Sequence, residues 1–449
     1  MNMSERKIIF NHASTVLIGQ LAVVLFGVAD TVIAGRYDAK ALAVLSISAS
    51  IYITVYVAML GIIQALLPLF AELNGAKKKK EIGVLFRQSL FIWLGISLIG
   101  MFLLLSPQYL MHWTEVPLVL QAEVITYLAL LAAALPGALF FRLYSTLNQS
   151  LGKPRLVTWI QVGALCLKIP ISMLLAFGWG EIPSMGLIGC ALATVLVNSS
   201  MVLIALALLR FNRLYDELIL WKRLESPDWI AIKNMLRLGV PNGLSVTVEV
   251  TSFTLMALLI SRMGEVASAA HQIASNMAAL LYMVPLSFSI AISARISYWR
   301  GAENQQAVRK CLAIGFQLVM GLALLLAILI WSFNEDIANW YSKDLEVGKL
   351  ASSLLILIGF FHLLDALQTI CFFVLRSFKV TIAPMLIYSI PLWGVGLTGG
   401  SLLAYDGLGP MAAMHSPAAF WQMNIVALSL VCAGLLILIN LQLQQSKDA

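Results

Sequence analysis

Apolar residues fall along this chain in long runs broken by short polar intervals. The runs cover roughly 8–34, 42–70, 84–106, 121–147, 157–178, 184–208, 239–261, 267–297, 308–332, 348–375, 382–404 and 417–442. The hydrocarbon core of a bilayer takes about 20 residues of helix, so the pattern predicts twelve membrane-spanning helices with short connections. The first run, Ile8 to Ala34, follows Arg6 and Lys7 and is too long for the apolar part of a signal peptide, so it reads as an uncleaved span. Composition agrees: 60% of the 449 residues are hydrophobic and 11% charged, against about 25% charged in a soluble domain.

Charge adds the topology. With the N-terminus placed in the cytoplasm, 22 of the 29 lysines and arginines fall in or beside cytoplasmic connections, Arg223 and Lys447 among them. Five lie on the opposite side (Arg36, Lys40, Arg262, Lys343 and Lys349), and two, Arg142 and Lys168, lie inside spans. The positive-inside rule therefore puts both termini in the cytoplasm. The run Lys77–Lys80 then reads as a topology signal meeting lipid headgroups, and the net charge of +7 does not point to nucleic acid. The five cysteines are dispersed in apolar settings with no CxxC pair, which predicts core packing rather than a disulfide or a metal site.

The longest polar connection, "RFNRLYDELILWKRLESPDW", lies midway along the chain. It suggests an N-terminal six-helix lobe at 1–209, a cytoplasmic linker at 210–233 and a C-terminal six-helix lobe at 234–449. The halves resemble each other. A shift of 226 residues lays "GRYDAKALAVLSI" on "SRMGEVASAAHQI", Gly75-Ala76 on Gly301-Ala302 and Lys153 on Lys379. An even six-span period makes the repeats parallel. The expected fold is an all-α polytopic membrane protein, two parallel six-helix repeats around a central cleft.

Ionisable residues inside spans mark ion or substrate paths by default, because a carboxylate there costs about 2.5–3.5 kcal/mol on insertion scales. Glu249 lies twelve residues from Arg237 and Asp365 eleven residues before Arg376. At about 1.5 Å of rise per residue, both sit near one depth, close to the midplane. Two carboxylates sharing a dry site do not both ionise easily, so such a pair takes up a proton or a small cation such as Na⁺. The bland alternative is that each acid satisfies a buried hydroxyl or amide. In the other lobe, Asp30 and Lys168 are offset by about 7 Å along the membrane normal, within reach of a lysine stem. They either pair, or Lys168 snorkels alone into water. His12 and His362 read as satisfied interhelical donors and Arg142 as a snorkelling residue. Pro68, Pro136, Pro170, Pro285 and Pro391 fall in spans, where proline often marks a bend. No HExxH, GxSxG, phosphate loop or Cys/His cluster occurs.

The stretches "GVADTVIAGR", "QALLPLFAELNGA", "RLGVPNGLSVTVEVTSFTLMALL", "AAHQIASNMAALLYMVPLS" and "LLDALQTICFFVLRSFK" resemble the multidrug and toxic compound extrusion (MATE) transporters, specifically their NorM branch, over essentially the whole chain. The resemblance implies that Glu249 and Asp365 serve cation coupling and that Asp30 takes part in ion coupling and substrate binding. It further implies that Ser50, Phe253, Gln272, Asn276 and Asp344 match positions that line the substrate path. Two positions depart from the family pattern. A tyrosine usually stands where this chain has Phe361, which has no oxygen to ligate a cation. Two asparagines usually stand where this chain has Lys168 and Ser172.

The expected function is an H⁺- or Na⁺-coupled antiporter, a monomer without cofactor and not an enzyme. It would export amphipathic, often cationic organic compounds across a bacterial-type inner membrane by alternating access. A lipid-linked glycan flippase of the same superfamily is the nearest alternative, but it calls for a cleft rich in Arg and Lys. An intramembrane aspartyl protease is a more distant one, and Asp365 lacks the GxGD setting that chemistry uses.

Overall fold

The computed structural model describes residues 4–107, 118–180, 183–222 and 225–448. Of the basic residues in the topology argument, Arg223 and the side chain of Lys447 lie outside what is described. Among the described residues, twelve helices are long and apolar enough to cross a membrane. They are α1 Glu5–Tyr37, α2 Lys40–Gly75, α3 Lys79–Leu105, α4 Leu118–Ser150, α5 Pro154–Phe177 and α6 Leu187–Phe211. The second six are α7 Trp229–Ser261, α8 Glu265–Gly301, α9 Gln305–Tyr341, α10 Leu345–Ser377, α11 Ile382–Tyr405 and α12 Ala418–Gln444.

Proline acts unevenly on these helices. α2 is interrupted at Ala65–Leu66, just before Pro68. In α11, Pro391 is followed by a π-helical stretch, Leu392–Gly399, so the helix widens just past the residue that has no N–H to donate. Pro136, Pro170 and Pro285 instead sit inside continuous helices, as neighbours in a bundle allow. α9 is kinked at Phe333 (φ −120°, ψ 21°), a break with no proline to announce it.

The chain packs as two units. One comprises Thr15–Gly243 with Gly301–Glu303, the other Met1–Ser14, Leu244–Arg300 and Asn304–Ala449. In the first, α2 and α7 approach through glycines. A Cβ on Gly61 would lie 2.8 Å from the Gly243 Cα, and Asn242 Nδ2 donates to the Gly61 carbonyl at 2.6 Å. Small residues permit this approach in a lipid solvent that drives no hydrophobic collapse. In the second unit, the start of α1 is fixed to α8. Glu5 accepts from Arg295 Nε at 3.1 Å and Nη2 at 2.5 Å, and from the Trp299 indole at 3.2 Å. Phe10 stacks edge-on against Phe288.

The polar connection between α6 and α7 is docked rather than loose. Arg87, on α3, donates to the Ile219 carbonyl at 2.6 Å and pairs with Glu225 at 2.8 Å. Gln88 bonds the Ser226 carbonyl and the Asp228 amide. Tyr215 donates to Asn148 Oδ1 at 2.7 Å. Gly83 lets the connection come this close, since a Cβ there would stand 1.7 Å from the Leu218 carbonyl oxygen. Gly83→Ala should therefore displace the connection and cost about 1–3 kcal/mol as an overpacking change. Thermal melting in detergent and faster proteolytic nicking between α6 and α7 would register it; an unchanged melting point and nicking rate would refute the docking.

Three expectations are corrected here. Cys190, Cys311, Cys371 and Cys432 are buried, but Cys166 is exposed, because its side of α5 does not face the core. Arg142 is buried at 9% exposure instead of reaching a helix end. His362 is buried, and among the described residues neither ring nitrogen has a hydrogen-bond partner, so it is not a satisfied interhelical donor.

Candidate functional site

Each unit holds its own cluster of intramembrane charge. In the unit built around α8–α12, Asp365 projects from α10 and is 6% exposed, with Gln368 Nε2 at 3.4 Å from its Oδ1. Glu249, half-buried on α7, faces the Tyr388 hydroxyl on α11, which is placed to donate to it. Asp365 bears electrostatically on Glu249, and both carboxylates bear on the hydroxyl of Tyr282 on α8. Four helices thus bring two acids and two phenols to one place. The π-helical stretch helps to position it: the Trp393 indole reaches the Val248 carbonyl at 3.3 Å, one residue from Glu249.

Two carboxylates in one poorly solvated pocket repel if both are charged, and each is costly to bury unpaired. Binding one proton or one small cation removes both penalties. Phe361, one turn before Asp365, contributes no oxygen. It is 5% exposed, and its ring stands edge-on to Phe253 at 6.1 Å and to Trp421 at 5.3 Å. Phe253 and Trp421 also meet, at 6.0 Å. The acid pair is therefore flanked by an apolar aromatic wall.

In the other unit, Lys168 Nζ lies 2.9 Å from Asp30 Oδ1, with side chains 2% and 13% exposed. The same ammonium donates to the Cys190 carbonyl at 3.2 Å and to the Thr194 hydroxyl. Of the two readings open from the sequence, pairing is the one present; Lys168 does not reach for water.

The remaining expected positions are dispersed. Gln272 and Asn276 are exposed neighbours on α8 and hydrogen-bond each other at 3.0 Å. Ser50 is exposed on α2, its hydroxyl donating to the Ser46 carbonyl at 2.9 Å. Asp344 caps the start of α10, accepting from Glu346 N at 2.8 Å and Val347 N at 3.2 Å, so its carboxylate has a structural task. Ser172 is fully buried. The sequence reading missed Tyr388, Tyr282, Gln368 and Thr194. Their signal was weak, because hydroxyls and amides inside spans are common, whereas acids are not.

Comparison with known proteins follows the same lines. The family model described as MatE matches residues 16–174 and again 241–400, close to the spacing at which the chain repeats itself. "Probable multidrug resistance protein NorM" of Aromatoleum aromaticum is 34% identical over 421 residues, covering 93% of this chain and 90% of that protein. "Multidrug resistance protein MdtK" of Yersinia pestis is 31% identical over 448 residues, covering 99% and 96%. Among solved structures, the Vibrio cholerae MATE transporter VcmN in its bent form has a TM-score of 0.85 at 18% identity, over 98% of this chain and 97% of that one. The eukaryotic MATE transporter AtDTX14 has a TM-score of 0.87 at 17% identity, over 98% of each. These structures establish a shared fold. Two matches to one family model, together with identity above 30% over nearly the full length of relatives, show that this chain belongs to the MatE family.

Proposed function

We propose that this protein is an ion-coupled antiporter that exports amphipathic organic compounds, many of them cationic, across the inner membrane. The Glu249–Asp365 cluster exchanges the coupling ion. The observation that carries this reading is the convergence of the two acids with Tyr388 and Tyr282 inside a membrane-spanning bundle. A scaffold has no use for such a costly arrangement, and a transporter that must load and release charge does. The names of the relatives, multidrug resistance proteins, supply the solute class. Cells producing the protein should lose ethidium faster than cells carrying an empty vector; equal rates would contradict the reading.

The proton is the better candidate for coupling. A hard cation asks for about six oxygen ligands, and Phe361 places a ring where the family pattern offers a hydroxyl. Efflux should therefore respond to a pH gradient and little to Na⁺. Phe361→Tyr should raise the response to Na⁺, measured as ethidium efflux from vesicles with a Na⁺ gradient at constant pH. Efflux by the unaltered protein driven fully by Na⁺, and indifferent to a pH gradient, would show the reasoning wrong.

A further inference from the structure

Lys168 is the one lysine of this chain set deep in an apolar span, "ALCLKIPI", and its surroundings explain how it is tolerated. An ammonium has three N–H donors. Here three oxygens meet it: Asp30 Oδ1 from α1 at 2.9 Å, and the Cys190 carbonyl and the Thr194 hydroxyl from successive turns of α6. The groups facing the pair are the phenol of Tyr127 and the thiol of Cys190, neither of them a cation. Lys168 is the positive charge that bears on Asp30. One carboxylate, one hydroxyl and one carbonyl around a cation form the kind of oxygen cradle a transported ion or an organic ammonium would use. In this chain the occupant is covalently attached.

We propose that Lys168 is a tethered cation that fills the cation place of its unit and closes Asp30 to coupling ions and cationic solutes. Cation exchange then rests on Glu249 and Asp365, a consequence that depends on the function proposed above; the closure of Asp30 does not. Removing the tether opens a site for a small primary alkylammonium. Lys168→Ala deletes three methylenes and the ammonium, the outline of n-propylammonium. That cation should occupy the gap and engage Asp30, Thr194 and the Cys190 carbonyl in its place.

The test uses dicyclohexylcarbodiimide, which forms a stable adduct with a buried carboxyl that is protonated and not held by a cation. Purified full-length protein in lipid nanodiscs is treated and the adduct on the Asp30 peptide is quantified by mass spectrometry. In the unaltered protein Asp30 should be unlabelled. In Lys168→Ala labelling should rise by roughly tenfold or more, since a buried carboxylate without a partner neutralises itself. n-Propylammonium chloride should suppress that labelling, whereas choline chloride at equal ionic strength, too bulky for the gap, should not. Lys168→Asn, which restores a neutral polar side chain, provides a second variant if Lys168→Ala does not fold. Asp30 labelled equally with and without Lys168, or unlabelled in both folded variants, overturns the proposal. So does n-propylammonium acting no better than choline. Glu249 and Asp365 peptides in the same samples report separately on the other unit, so failure there leaves the result for Asp30 intact.

Discussion

Glu249→Gln and Asp365→Asn should each reduce ethidium efflux to the level of cells carrying an empty vector, and the double variant should be no slower than either single one. Each substitution keeps shape and removes the charge that can be loaded and released. Asp365 is buried beside Gln368, and Glu249 lies by the Tyr388 hydroxyl; each single variant leaves one acid, and exchange by the pair as a unit does not run on one acid alone. Residues that work as one site are strongly non-additive. Partial losses that simply add would mean two independent acids and would remove the shared site. Tyr388→Phe offers a graded companion: losing one hydrogen bond to a charged group costs about 1.5–3 kcal/mol, so efflux should be weakened rather than abolished.

The second large effect is on stability. Asp30→Ala and Lys168→Ala should each destabilise the protein by about 3–5 kcal/mol, because each leaves a buried charge without its partner, whereas the double variant should lie near the unaltered protein. The geometry supports the upper part of that range, since the ammonium is 2% exposed and meets three oxygens. A double-mutant cycle on thermal unfolding in detergent measures it. A coupling energy indistinguishable from zero would mean that the ion pair contributes nothing beyond its separate members.

The fold was legible because lipid simplifies the code. Every span must be apolar and must satisfy its own backbone, so the twelve runs read from the sequence became twelve helices with ends moved by several residues, as at α2, which continues to Gly75. The charges were legible for the same reason: Glu249, Asp365, Asp30 and Lys168 are rare letters against that background, and helical rise alone brought the two acids Glu249 and Asp365 to one depth and Asp30 within reach of the Lys168 stem. Side chains that are ordinary inside membranes left no such trace. Tyr388 and Tyr282 complete the acid cluster, yet tyrosine in a span carries no alarm. Thr194 ligates Lys168, yet threonine in a helix usually bonds its own backbone, as it also does here to Cys190 at 3.0 Å. Backbone irregularity was legible only in part. Pro68 and Pro391 mark real departures, but the kink at Phe333 has no proline; there the Asn334 side chain donates to the Trp331 carbonyl at 2.7 Å, an intrusion into the helix ladder that the sequence did not announce. Docking of the α6–α7 connection depends on Gly83, a glycine whose meaning appears only once Leu218 lies against it.

Purified protein in liposomes, free of Na⁺ and with an acidic interior, provides the most direct test of proton exchange at the Glu249–Asp365 cluster. Protons leaving down their gradient should drive ethidium inward against its own gradient. Uptake should collapse when the pH gradient is dissipated and be absent from liposomes carrying Glu249→Gln. Uptake that persists without a pH gradient, or that Glu249→Gln supports as well as the unaltered protein, would contradict the account.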